Sequence, residues 1–144
     1  MPELAFHFNA PDKLVYACRL LRKAVAAGAR VVVTAEAEVL ERLDTLLWTF
    51  SQTDFIPHAR LGAAAEVVAA SPVVLAEAAD APGLPHHEVL VNLGPSWPEG
   101  FEQYRRVIEV VGQDETDRQQ ARARWKRYSA LGHAIEKHDL NLHA

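Results

Sequence analysis

Residues 118–128 (RQQARARWKRY) carry five basic side chains and no acidic one. On a helix, where each residue turns about 100° from the last, Arg118, Arg122, Trp125, Lys126 and Ser129 gather into an arc of about 100°, while Arg124 and Arg127 point elsewhere. Cations flanking an indole suit a ligand that combines carboxylates with an aromatic ring, through charge-assisted hydrogen bonds and apolar contact. The same residues also fit a solvated basic face that complements the negative end of the helix dipole, with Trp125 turned into the core. Nucleic acid is a third reading, and charge weakens it. The formal net charge is −4, so removing the +5 of this segment leaves −9 elsewhere, and a narrow basic stripe on an acidic body meets few phosphates.

A second cluster is apolar: Leu43, Leu47, Trp48, Phe50, Phe55, Ile56 and Pro57. It reads as a corner of the core or as the aromatic anchor of a lasting partner. Catalytic signatures are missing. The run RVVVT at residues 30–34 is followed by Ala-Glu-Ala-Glu, which cannot form a glycine-rich phosphate cradle. Gly-x-Ser-x-Gly, His-Glu-x-x-His and Cys-x-x-Cys do not occur. His86 and His87 could be imagined with His58 around a metal, but no third ligand is fixed by spacing, so no metal and no cofactor is expected. Cys18 is read as an inert buried thiol, and Glu36, Glu38 and Glu41 as a solvated helix face.

The elements that must carry these residues follow from periodicity. The chain has 144 residues, 49% hydrophobic and 24% charged, which suits one globular domain. Residues 4–8 (LAFHF) predict a strand. Pro11 and Asp12 open a helix whose apolar face is Leu14, Ala17, Cys18, Leu21 and Val25, and Gly28 stops it. Residues 30–34 read as a strand buried on both sides of a parallel sheet. A second helix is expected over 35–50, and 51–60 as a loop or short extended piece. Strands follow at 71–75 and 87–93, then a turn at 95–99 opening a short helix through Tyr104 and Arg105. A strand at 107–111 precedes a last helix running from about 113 to 131 or 132. The whole predicts a single α/β domain over 1–144, three-layered, its sheet mainly parallel with helices on both faces; 132–144 are expected as a C-terminal tail. One cysteine, and no basic-then-apolar leader or long apolar run, point to a cytoplasmic protein without membrane contact.

The sequence resembles the chi subunits of bacterial DNA polymerase III over nearly its whole length. The resemblance lies in LAFHF, in AAGARVVVTAE, in RLDTLLWTFSQTDFIPHARLG, in HEVLVNL and in ARARWKRYSALGH. Leu43-Asp44-x3-Leu47-Trp48 followed by Phe55-Ile56-Pro57-His58 is its most specific marker. The resemblance implies a Rossmann-like fold without a nucleotide-binding loop and a non-catalytic accessory protein of the clamp-loader assembly. Such proteins pair with the psi subunit and bind the acidic C-terminal tail of single-stranded DNA-binding protein, so contact with DNA is indirect. Carried over by position, Arg118, Arg122, Trp125 and Lys126 would hold the tail, which in this resemblance ends in Asp-Pro-Phe. Trp125 stands where the family commonly has tyrosine, losing a hydroxyl and gaining apolar area. For psi, Phe55 falls at a family contact position, with Trp48, Ile56 and Pro57 taken from the same region. The competing reading, an α/β enzyme acting on a phosphorylated or nucleic-acid substrate, rests only on the sheet and the local basicity.

Overall fold

The aromatic run at the N-terminus becomes β1 (Glu3–Ala10). Asp12 then caps α1 (Lys13–Ala26), its carboxylate accepting from the backbone N–H groups of Leu14 and Val15 at 3.1 Å. There follow β2 (Val31–Thr34), α2 (Ala37–Thr49), β3 (His58–Arg60), α3 (Ala65–Ala70), β4 (Val73–Ala76), β5 (Val89–Asn92), a 3-10 turn at Phe101–Gln103, β6 (Arg106–Gly112), α4 (Glu115–Ala130), β7 (Ile135–Asp139) and a further 3-10 turn at Leu140–His143. The computed structural model describes residues 2–50 and 55–143.

All seven strands join one parallel sheet in the order β3-β4-β2-β5-β6-β1-β7. Parallel strands need crossovers, and these place α1 and α2 on one face and α3 and α4 on the other. Alternation along each strand supplies both cores. Val31, Val33, Leu75 and Val91 face α1 and α2, meeting Leu21, Leu43 and Leu47. Leu4, Phe6, Val32 and Val107 face the other way, under Ala121 and Tyr128 of α4. The buried leucines each contribute about 1.5–3 kcal/mol by leaving water. The predicted three-layer α/β architecture is the one observed.

Three segments differ from the sequence expectations. The piece after Gly132, expected as a tail, contributes β7, which pairs in register with β1 from Leu4↔Ile135 to Phe8↔Asp139. Four of its five residues, Glu136 to Asp139, carry charged or histidine side chains, so the strand signature is diluted by solvent-facing positions. Helix α3 was not expected at all: only Val68 of its six residues is buried, too short a run to show a period. The short helix expected through Tyr104 and Arg105 is reduced to the 3-10 turn, because Tyr104 turns out in extended conformation to enter β6.

On the α1 face of the β1–β7 edge, His7 lies buried with its Nδ1 against the Tyr16 hydroxyl and its ring 4.6 Å from that of His138. Burial holds the His7 pKa down to about 4, helped by the nearby His138 and Arg106 and opposed by Glu136. An unfolded histidine titrates near 6.5. As pH falls from about 6.5 to about 4, the unfolded state therefore takes up a proton that the folded state refuses, and stability declines through that window. The expected loss is roughly 2–3 kcal/mol. Urea unfolding at pH 7, 5.5 and 4 checks this, since His7→Gln should flatten that part of the profile; an equal slope in the variant would assign the loss to other groups.

Candidate functional site: a basic-aromatic cleft at the sheet edge

Helix α4 crosses the sheet above β6 and β1, and its buried side is formed by Ala121, Arg124 and Tyr128. At about 100° per residue Trp125 stands beside that buried side and Lys126 lies nearly opposite it. Trp125 consequently leans into the gap between α4 and β7, meeting Phe6 edge-on at a ring separation of 5.0 Å. The gap is an open cleft of about 360 Å³ lined by Phe6, Phe8, Val111, Arg118, Ala121, Arg122, Trp125 and Lys137. Its floor is apolar and its rim is cationic.

The structure thus brings together Arg118, Arg122 and Trp125, three of the four residues singled out on this helix. Lys126 is exposed but does not line the cleft. The third cation of the rim comes from β7 instead. Lys137 pairs in register with Phe6, so its side chain shares the α4 face, and its Nζ stands 5.9 Å from the Trp125 ring centroid. Arg122 reaches Glu115 at 3.4 Å, both exposed, a surface pair of little energetic weight. Among the described residues no carboxylate lies within ion-pair distance of Arg118, Lys126 or Lys137. Lys137, Phe6 and Phe8 were missed as site residues because the pairing that aligns β7 with β1 spans some 130 residues. The usable signal was the alternation of Ile135, Lys137 and Asp139.

The other basic residues of α4 serve the interior. Arg124 is 4% exposed and its Nε donates to Glu109 Oε1 at 3.1 Å, while its Nη1 donates to Pro95 O at 2.8 Å. Glu109, in the middle of β6, is fully buried and also accepts from Tyr128 Oη at 2.8 Å and from Asn92 Nδ2 at 3.0 Å. Burial pushes the Glu109 carboxyl upward in pKa, and the Arg124 guanidinium and the donors from Tyr128, Asn92 and Arg124 oppose that rise. Burial, and then the Glu109 charge, raise Tyr128 as well. Every group facing the two carboxylate oxygens donates, which is an environment built for the ionised form. Arg127 lies over the Trp97 ring, 4.1 Å from its centroid. The cluster fixes the rotation of α4, and hence the direction of Trp125.

The second candidate surface lies at the opposite edge. Trp48, near the end of α2, is 60% exposed and Phe55 is 56% exposed, with their rings 5.1 Å apart. His58 sits behind Trp48 at 5.1 Å, its ring nitrogens facing Ile56 O at 2.7 Å and Asp44 Oδ1 at 2.8 Å. Pro57 is exposed. Ile56 is not part of this surface: at 2% exposure it packs in the α1–α2 core, so its expected role as an interface contact gives way to a structural one. Neighbours on an extended segment point to opposite sides. Residues 51–54, between the two aromatic anchors, lie outside the described residues.

The crevice where doubly wound sheets bind nucleotides, beyond the carboxyl ends of β2 and β5, is about 670 Å³ and is lined by Glu36, Glu38, Glu77, Asp80 and Glu99. Five carboxylates repel a phosphate. Cys18 is buried, and burial, with Asp12 nearby, pushes its thiol up to about 11, away from nucleophilic chemistry. His86 is buried against Ser71 O at 3.2 Å, and among the described residues no three His, Cys, Asp or Glu side chains are placed to hold a metal. Among them, too, no helix is long and apolar enough to cross a membrane.

Comparison with known proteins adds an independent line. Residues 1–136 match the family model described as DNA polymerase III chi subunit, HolC. A DNA polymerase III subunit chi from Pseudomonas aeruginosa is 34% identical over 129 residues, covering 89% of this chain and 87% of that protein. One from Haemophilus influenzae is 27% identical over 118 residues, 81% and 79% of the two chains.

Proposed function

The chain belongs to the chi subunit family of DNA polymerase III, a non-catalytic accessory subunit of the holoenzyme, and from that premise we propose that it is a replication adaptor with two docking surfaces. In this reading the cleft between α4 and β7 captures the acidic C-terminal tail of single-stranded DNA-binding protein. The Trp48–Phe55 surface seats the psi subunit. No bond is made or broken, and the protein works in the cytoplasm at the replisome.

The observation that carries the proposal is the placement of the two surfaces. Trp48 and Phe55 stand beside β3, on the α2 face, whereas the cleft stands over β1 and β7, on the α4 face. With β3 and β7 at the two ends of a seven-stranded sheet, six strand spacings of about 4.8 Å hold them roughly 29 Å apart. Two partners can therefore dock at once without sharing a residue. A cleft with an aromatic floor and a cationic rim also matches a peptide that ends in acidic residues and a phenylalanine, since the ring can leave water while each carboxylate meets a cation.

The test is a fluorescence anisotropy titration of a labelled acidic peptide ending in Asp-Pro-Phe, at low and moderate salt. Binding should weaken as salt rises. Arg122→Ala should cost about 1.5–3 kcal/mol if its bond to the peptide is charge-assisted. Unchanged affinity in the variant would remove Arg122 from the site, and no binding by folded wild type would remove the function from the cleft.

A further inference from the structure

We propose that Lys137 of β7 pairs with the free α-carboxylate of the peptide bound in the cleft, making the C-terminal strand the element that reads a chain end. The inference rests on the tail-capture reading above and assigns one of its contacts to a residue outside α4.

The geometry begins with the floor. Phe6, Phe8, Val111, Ala121 and Trp125 make the apolar part of the cleft, and its volume of about 360 Å³ has room for an aromatic side chain together with the backbone that carries it. In a peptide that ends in an aromatic residue, the α-carboxylate is only three bonds from that ring. Once the ring is on the floor, the carboxylate must emerge at its immediate margin. Lys137 is placed there: it lines the cleft and its ammonium stands over the Trp125 face at 5.9 Å.

The other cations fit this contact less well. Arg122 leans toward Glu115, a helical turn or two nearer the start of α4. Lys126 is off the cleft. Arg118 lines it one turn nearer the start of α4 than Arg122, on the wall opposite β7. Arg118 and Arg122 thus form a row suited to acidic side chains upstream of the chain end, and Lys137 closes the cleft from the other wall. No carboxylate among the described residues competes for the Lys137 ammonium. The position is also well held, because β7 is paired with β1 through five registered residues and Asn9 Nδ2 donates to Asp139 Oδ1 at 2.9 Å.

The experiment is a two-by-two titration with the full-length protein. Wild type and Lys137→Met, which keeps the apolar stem and removes the charge, are each titrated with an acidic peptide ending in Phe as the free acid and as the C-terminal amide. For wild type, amidation should weaken binding about ten-fold or more, the scale of a charge-assisted hydrogen bond. For Lys137→Met the free acid should bind about as weakly as the amide does to wild type, and amidation should cost almost nothing further. Lys137→Arg should restore most of the discrimination. If amidation costs Lys137→Met as much as it costs wild type, the assignment is overturned; if Arg122→Ala abolishes the amidation penalty instead, the carboxylate belongs to Arg122. Failure of wild type to bind either peptide would overturn tail capture itself, a result distinct from equal penalties. Lys137 is exposed, so an unchanged urea midpoint is expected for both variants.

Discussion

Arg124→Met is expected to lower the free energy of unfolding by roughly 3–5 kcal/mol, because it leaves the Glu109 carboxylate buried without its cation. The pair is 4% and 0% exposed, so water cannot enter to replace the guanidinium. Tyr128 and Asn92 would remain as donors to the carboxylate oxygens, but neither carries charge. Glu109→Gln combined with Arg124→Met should recover part of the loss, since no ion is then left in the core. Urea denaturation of the two variants beside wild type measures both effects. A loss below about 1 kcal/mol for the single variant would mean that the carboxyl is already neutral in the native protein.

The second large effect is expected at the other edge of the sheet. Trp48→Ala should weaken binding to the psi subunit by at least about 2 kcal/mol, the usual cost of truncating a central aromatic anchor. Phe55→Ala should act in the same direction, since the two rings lie tilted against each other with centroids 5.1 Å apart and present one surface. Both side chains are more than half exposed, so the stability of the isolated chain should hardly move. Ile56→Ala provides the contrast. Its side chain belongs to the core, and deleting it should cost roughly 2–5 kcal/mol of stability. Calorimetric titration with psi, paired with urea unfolding, separates the two outcomes. Full-strength binding by folded Trp48→Ala would move the psi contact elsewhere.

What could be read from the sequence was local. The arc of α4 followed from helical spacing, and Arg118, Arg122 and Trp125 do share the cleft. Strands β2, β4 and β6 were visible as apolar runs because both their faces are covered. What escaped depended on distant partners. Five basic residues within eleven look alike, and only the position of Glu109 inside an otherwise apolar strand hints that one of them must be internal. Lys126 and Lys137 differ in placement for a similar reason: helix periodicity puts Lys126 in the arc, but the register of β7 on β1 decides which ammonium lines the cleft. Likewise, no periodicity separates Ile56 from Phe55 and Pro57 until β3 takes its place at the sheet edge.

The strand order carries a consequence for how the molecule is made. β1 leaves the ribosome first, yet both of its neighbours, β6 and β7, are among the last segments to emerge. The N-terminal strand must wait, its aromatic face unpaired, until more than a hundred further residues have been synthesised. Phe6 and Phe8 of the cleft floor come from that early strand, while Arg118, Trp125 and Lys137 come from the end of the chain. A nascent or prematurely terminated chain therefore has no cleft. The cleft is thus assembled late, from segments that meet only after β7 has been made.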